Sequence, residues 1–114
     1  MFGISEIDAA GLKAKLDAGD KVRLIDVRSA AEFNQGIIDG GEFMPLHTVP
    51  LRMSELDNRG DETLVIYCRS GNRSAQACLF LKQNAGIEAY NLRGGIIAWY
   101  QSGQAVVPPP AVMA

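Results

Sequence analysis

Two cysteines and one histidine are all that 114 residues offer to soft metals and to redox chemistry. Without CxxC or HxxxH spacing they cannot complete a structural zinc site unless carboxylates or a second chain contribute, so no metal or other cofactor is expected. Cys68 and Cys78 could close at most one disulfide, and a chain of this length can bury a core without a staple; a reducing compartment fits. Positive charge is also short. The 11 Lys+Arg against 13 Asp+Glu leave a formal net charge of -2, too weak a positive field to hold nucleic-acid backbones or anionic lipids. The opening stretch MFGISEIDAAGLKAKL has neither a basic n-region nor an uninterrupted apolar run, which excludes signal-peptide and membrane-span readings and makes a cytoplasmic location the expectation. No internal repeat is present.

What is there suits one folded domain: 47% hydrophobic and 21% charged residues argue against a disordered or fibrous chain. Three consecutive prolines at Pro108-Pro109-Pro110 exclude helix interior and sheet ladder, so the folded unit is expected to cover residues 1–107, with a flexible Pro-rich tail over 108–114. Before the tail, short runs of Val, Ile, Leu and Tyr alternate with stretches of helical period. That pattern predicts an α/β fold, with helices around a largely parallel sheet.

The clearest strands are Val22–Val27 and Thr63–Cys68, whose nearly continuous apolar character suits central strands covered on both faces. Between Asp8 and Gly19 the positions Ala9, Leu12 and Leu16 share one helical face, with Asp8 as N-cap and Gly19 as stop. A second helix is predicted over Ser74–Ala85, offering Ala75, Cys78, Leu79 and Leu81 to the core and closed by Gly86. Shorter elements are expected as helices at Ala30–Gln35, Val49–Leu56 and Gly95–Gln101 and a strand at Ala89–Leu92.

The segment Tyr67-Cys68-Arg69-Ser70-Gly71-Asn72-Arg73-Ser74 lies between the stronger strand and the stronger helix. This places Cys68 at the carboxyl end of a parallel strand, where open α/β sheets form a ligand crevice. The small and polar residues after it lead into a helix N-terminus, so several backbone N–H groups can converge there and welcome an anion. A helix N-terminus and neighbouring cations lower a thiol's pKa, and Arg69 and Arg73 supply the cations, so a thiolate at neutral pH is expected. A cysteine inert by burial needs neither two guanidinium groups nor a glycine turn.

At this point the chain resembles the rhodanese-like (sulfurtransferase) family, specifically its single-domain members. Four segments carry the resemblance in order: Leu24-Ile25-Asp26-Val27-Arg28 with Glu32-Phe33; Gly36-Ile37-Ile38-Asp39-Gly40-Gly41 followed by Met44-Pro45-Leu46; Val65 through Ser74; and Leu92-Arg93-Gly94-Gly95-Ile96-Ile97-Ala98-Trp99. The resemblance implies a central parallel sheet with helices on both faces and a catalytic Cys68 that cycles between thiolate and persulfide. It further implies thiosulfate as sulfur donor and cyanide or another thiol as acceptor. Arg69, Ser70, Gly71, Asn72 and Arg73 would bind substrate. Arg73 aligns with the arginine that closes the loop, where a planar fork of donors suits an oxyanion; for Arg69 the same role is inferred from its charge. A sulfur-relay carrier that exchanges persulfide with protein partners is the competing expectation, and sulfur-carrier proteins are then the partners.

Cysteine phosphatases place five residues between Cys and Arg where this chain has four, and the shorter loop fits a sulfur atom better than a tetrahedral phosphate. Where family members often read Gly-His-Ile-Pro-Gly-Ala, this chain has no histidine and carries Asp39 in place of proline. Asp26, Arg28 and Ser74 are expected to support the site structurally, Asp26 and Arg28 as an ion pair or hydrogen-bond anchor at a buried strand end. His47 is expected to be exposed or capping and dispensable, and Cys78 to be core packing.

Overall fold

The computed structural model describes residues 3–57 and 60–110. Five strands, β1 (Ser5–Ile7), β2 (Val22–Asp26), β3 (Gly41–Phe43), β4 (Thr63–Tyr67) and β5 (Tyr90–Leu92), form one sheet in the order β1-β5-β4-β2-β3. Every pairing is parallel. The helices are α1 (Ala9–Asp17), α2 (Ala30–Gln35), α3 (Val49–Arg52), α4 (Asn72–Ala85) and α5 (Gly95–Gln101), with 3-10 turns at Leu46–Thr48 and Met53–Leu56.

β2 and β4 sit at the centre, in register from Val22 opposite Thr63 to Asp26 opposite Tyr67. Side chains alternate across a strand, so Leu64, Ile66 and Cys68 enter one core with Ala77, Cys78 and Leu81 of α4, while Val65 and Tyr67 enter the other with Ala9 and Leu12 of α1 and Ile96 and Trp99 of α5. Both faces are thus covered, which is why these two strands read as nearly continuous apolar runs. No helix among the described residues is long and apolar enough to cross a membrane.

Local chemistry sets the helix ends. Asp8 caps α1 by accepting the Gly11 N–H at 2.8 Å. Ser29 and Glu32 form a reciprocal capping box on α2. Gly86 ends α4 in the left-handed conformation, returning its N–H to the helix carbonyls.

Several expectations need correction. The helix predicted from Ser74 begins two residues earlier, at Asn72, because Gly71 at φ 107° turns the chain into the helix at once. Asn72 and Arg73 therefore belong to the first turn of α4. The predicted helix Val49–Leu56 divides at Met53 into an α turn and a 3-10 turn. Leu16, in phase with Ala9 and Leu12, stays 36% exposed near the helix end. Val107 exchanges two backbone hydrogen bonds of 2.8 Å with Ile37, so the chain returns to the body of the domain just before the prolines. Of the tail expected over 108–114, residues 111–114 lie outside the described residues.

Candidate active site

β4 delivers Cys68 to the carboxyl edge of the sheet, directly ahead of the N-terminus of α4. Its Sγ accepts the Gly71 N–H at 3.1 Å and lies 3.3 Å from the Ser74 hydroxyl. α5 holds the loop from the other side: the Ile96 N–H donates to the Cys68 carbonyl at 2.9 Å and the Ile97 N–H to that of Arg69 at 3.2 Å. Glycine is required at position 95, since a Cβ there would overlap the carbonyls of Cys68 and Arg69 and φ is +62°. Here the donors of one helix start face the sulfur, and those of another fix the peptide that carries it.

Burial pushes the Cys68 thiol up, but the Ser74 hydroxyl and the amides of Ser74, Gly71 and Ser70 outweigh it, leaving the thiol below its ordinary value. The leading downward pulls are therefore hydrogen bonds, including the loop and helix-start amides expected from sequence, and the cations Arg69 and Arg73 expected beside them are not among the leading causes. Arg73 is engaged elsewhere. Its two terminal nitrogens grip the Glu32 carboxylate at 2.7 and 2.9 Å. The Arg73 hydrogen bond, opposed by burial, holds Glu32 down at about 2. Arg69 is exposed and has no ion-pair partner among the described residues; Ser70 and Asn72 are exposed as well, Gly71 and Ser74 buried.

Asp26 and Arg28, placed by the sequence at the same sheet edge, form a buried ion pair: Arg28 Nη2 meets Asp26 Oδ2 at 2.6 Å, with the two side chains 0% and 6% exposed for Asp26 and Arg28. Arg28 also donates to the Gly36 carbonyl at 2.7 Å and lies over the Tyr67 ring, 5.8 Å from its centroid. The pair thereby fixes the segment that departs from the usual histidine and proline. Tyr67 reaches the same segment, its hydroxyl accepting the Ile38 N–H at 3.2 Å.

A cleft of about 630 Å³ opens beside the loop, lined among others by Arg28, Ser29, Phe43, Leu46, His47 and Arg73. Cys68, 1% exposed, is not itself part of its wall. His47 is exposed on the rim side, in the 3-10 turn after Pro45. Cys78 is free and buried, and burial pushes its thiol up to about 12, which leaves it un-ionised at neutral pH.

Two residues of this arrangement were given no role from sequence, although Glu32 stands in one of the segments that carry the resemblance. Glu32 clasps Arg73 from 41 residues upstream, and the only local trace is its place at the third helical position after Ser29. Asn91, 3% exposed on β5, accepts from Ser74 Oγ at 2.5 Å and donates to the Gly71 carbonyl at 3.2 Å. Nothing near it in sequence announces that.

The family model described as a rhodanese-like domain matches residues 8–102. A protein of Allochromatium vinosum named sulfurtransferase is 45% identical over 106 residues, spanning 93% of this chain and 97% of that protein. Among solved structures, a rhodanese-like domain protein from Staphylococcus aureus superposes with a TM-score of 0.80 at 30% identity, covering 94% of this chain and 100% of that one. A rhodanese-related protein from Thermoplasma volcanium does so at 0.78, also at 30% identity, covering 90% of this chain and 97% of that one.

Proposed function

The chain belongs to the rhodanese-like sulfurtransferase family, and from that premise we propose that it moves sulfane sulfur from thiosulfate to a thiophilic acceptor through a persulfide on Cys68. The observation that carries this reading is the sulfur at the start of α4, with the Gly71 N–H at 3.1 Å and the Ser74 hydroxyl at 3.3 Å. Those donors favour an anionic sulfur at a position that is otherwise desolvated.

In the first half-reaction the Cys68 thiolate attacks the outer sulfur of thiosulfate; the new S–S bond forms as the old one breaks, and sulfite leaves with its electron pair. The persulfide then holds its charge on the outer sulfur, within reach of the amides of the Cys68–Arg73 loop. In the second half-reaction cyanide or a thiol takes that outer sulfur, and the electron pair of the broken bond returns to Cys68 as thiolate. No general base is needed once Cys68 is ionised.

The sulfonate part of the donor meets Arg69, Ser70, Gly71, Asn72 and Arg73, entering by the cleft that Arg73 lines. A guanidinium has five N–H groups, and Arg73 spends two on Glu32, so three remain for an oxyanion. Asp26, Arg28 and Ser74 support the frame.

Intact mass spectrometry after thiosulfate treatment tests this. Wild type gains one sulfur atom, cyanide removes it, and Cys68→Ser gains none. A wild type that takes sulfur only from a protein or low-molecular-weight persulfide belongs to a sulfur relay. No gain from either donor, or the same gain on Cys68→Ser, rejects Cys68 as carrier.

A further inference from the structure

Ser74 Oγ lies 3.3 Å from Cys68 Sγ and 2.5 Å from Asn91 Oδ1. A hydroxyl has one proton, so it can donate to only one of these acceptors at a time. The orientation of Asn91 decides which. Its Nδ2 faces two groups that only accept, the Gly71 carbonyl and the Glu6 carboxylate, each at 3.2 Å. The Glu6 contact follows from strand register, which sets Glu6 of β1 opposite Asn91 of β5. Turning the amide over would aim its oxygen at both acceptors, so Oδ1 is left facing Ser74.

We infer that Asn91 is a positioning residue for the sulfur chemistry: it draws the Ser74 proton away from Cys68, and the hydroxyl swings to Sγ only when that atom carries the charge. With a neutral thiol, the S–H donates to Ser74 Oγ and Ser74 donates to Asn91. With the thiolate, Ser74 turns to Sγ and Asn91 Oδ1, in a residue 3% exposed, loses its donor. In the persulfide the charge sits on the outer sulfur, and the Ser74–Asn91 bond re-forms. The hydroxyl thus changes partner twice per turnover, and Asn91 moderates the acidity that the loop amides confer. This deepens the reading of Cys68 as sulfur carrier and rests on it.

Other ionisable groups around the thiol are Arg69 on its own loop, Arg73 and Cys78 on α4, Asp26 and Arg28 at the end of β2, Glu32 on α2 and Glu6 on β1. All are kept in the variants used as tests. Wild-type protein labelled with ¹⁵N is titrated by NMR while the pH dependence of Cys68 alkylation is followed in parallel. The side-chain amide signals of Asn91 are expected to move with the alkylation midpoint in wild type and to stay still in Ser74→Ala. In Asn91→Leu the midpoint is expected to fall, raising the thiolate fraction below it about two- to tenfold, the equivalent of one hydrogen bond. In the Ser74→Ala background the same Asn91 change should have no effect.

Asn91 signals that do not move, or that move equally in wild type and Ser74→Ala, overturn the inference, the latter because a through-space effect of the charge needs no hydroxyl. So does an Asn91→Leu midpoint that is unchanged or raised. The wild-type titration decides the matter if Asn91→Leu fails to fold. None of these measurements uses a sulfur donor, so they stand apart from the thiosulfate loading experiment.

Discussion

Replacing Glu32 by Gln removes one charge from the clasp that ties α2 to the first turn of α4 while leaving most of its shape. The substituted side chain keeps a carbonyl oxygen for the Ser29 N–H, which Glu32 now accepts at 3.1 Å, so the cap of α2 survives. What is lost is the attraction to Arg73. The Arg73 hydrogen bond, working against burial and joined by the Ser29 N–H and hydroxyl, takes Glu32 from 4.5 to about 2, and at about 1.4 kcal/mol per tenfold this sets a ceiling near 3 kcal/mol on the part that Arg73 supplies. The two side chains are 35% and 25% exposed for Arg73 and Glu32, and solvent screening brings the expected loss at neutral pH to about 1–2 kcal/mol.

The sign with pH follows from a depressed carboxylate: the unfolded chain takes up a proton near 4.5, the folded one only near 2. The clasp therefore contributes fully above 4.5 and is lost as pH falls through 2. Urea unfolding of wild type and Glu32→Gln at a series of pH values should show a constant gap from about pH 7 to 5, shrinking below half by about pH 3. A gap of the same size at both ends, or none at neutral pH, would refute the argument that charge holds these elements together. A cycle with Arg73→Met should recover the same 1–2 kcal/mol as coupling energy, to within about half a kcal/mol.

Arg28→Met should be harsher, because it leaves the fully buried Asp26 carboxylate without its counter-charge and the Gly36 carbonyl without its donor. A loss of about 3–5 kcal/mol in urea unfolding is expected; a loss below about 1 kcal/mol would mean that water reaches Asp26. Cys78→Ala should lose about 1 kcal/mol of stability to the small cavity it opens and keep full sulfur loading by mass spectrometry. A folded Cys78→Ala that no longer accepts sulfur would make Cys78 a partner in the chemistry.

The parts of the fold legible in the sequence are those where local and tertiary demands agree. Val22–Asp26 and Thr63–Tyr67 are largely apolar on both faces because helices cover both, and α2 and α5 keep their predicted bounds. β1 and β3 are three-residue strands at the sheet edges, Ser-Glu-Ile and Gly-Glu-Phe, whose polar centres carry no strand signal. Only pairing with β5 and β2 makes them strands. Cys68 and the loop amides that serve it were legible because a strand end followed by a glycine turn and a helix start is a local pattern, whereas the side-chain partners of Ser74 and Arg73 were not. Two arginines next to a cysteine read as cations aimed at it, yet Arg73 turns to Glu32 and the sulfur is served by Ser74 and loop amides. Asn91 reaches the site through a sheet pairing, and sequence spacing carries no trace of such contacts.

The strand order has a consequence in time. Cys68 is made before β5 and α5, the elements that clamp its carbonyl and direct its serine, and β1 must wait for β5 before Glu6 can meet Asn91 across 85 residues. A fragment cut before residue 90 would already carry Ser70, Gly71 and Ser74, whose donors lower the Cys68 thiol, but not the Asn91 that competes for the Ser74 proton or the α5 amides that clamp the Cys68 carbonyl. The last strand and helix to be made are thus the ones that restrain and clamp the sulfur, and the donors that acidify it come earlier in the chain.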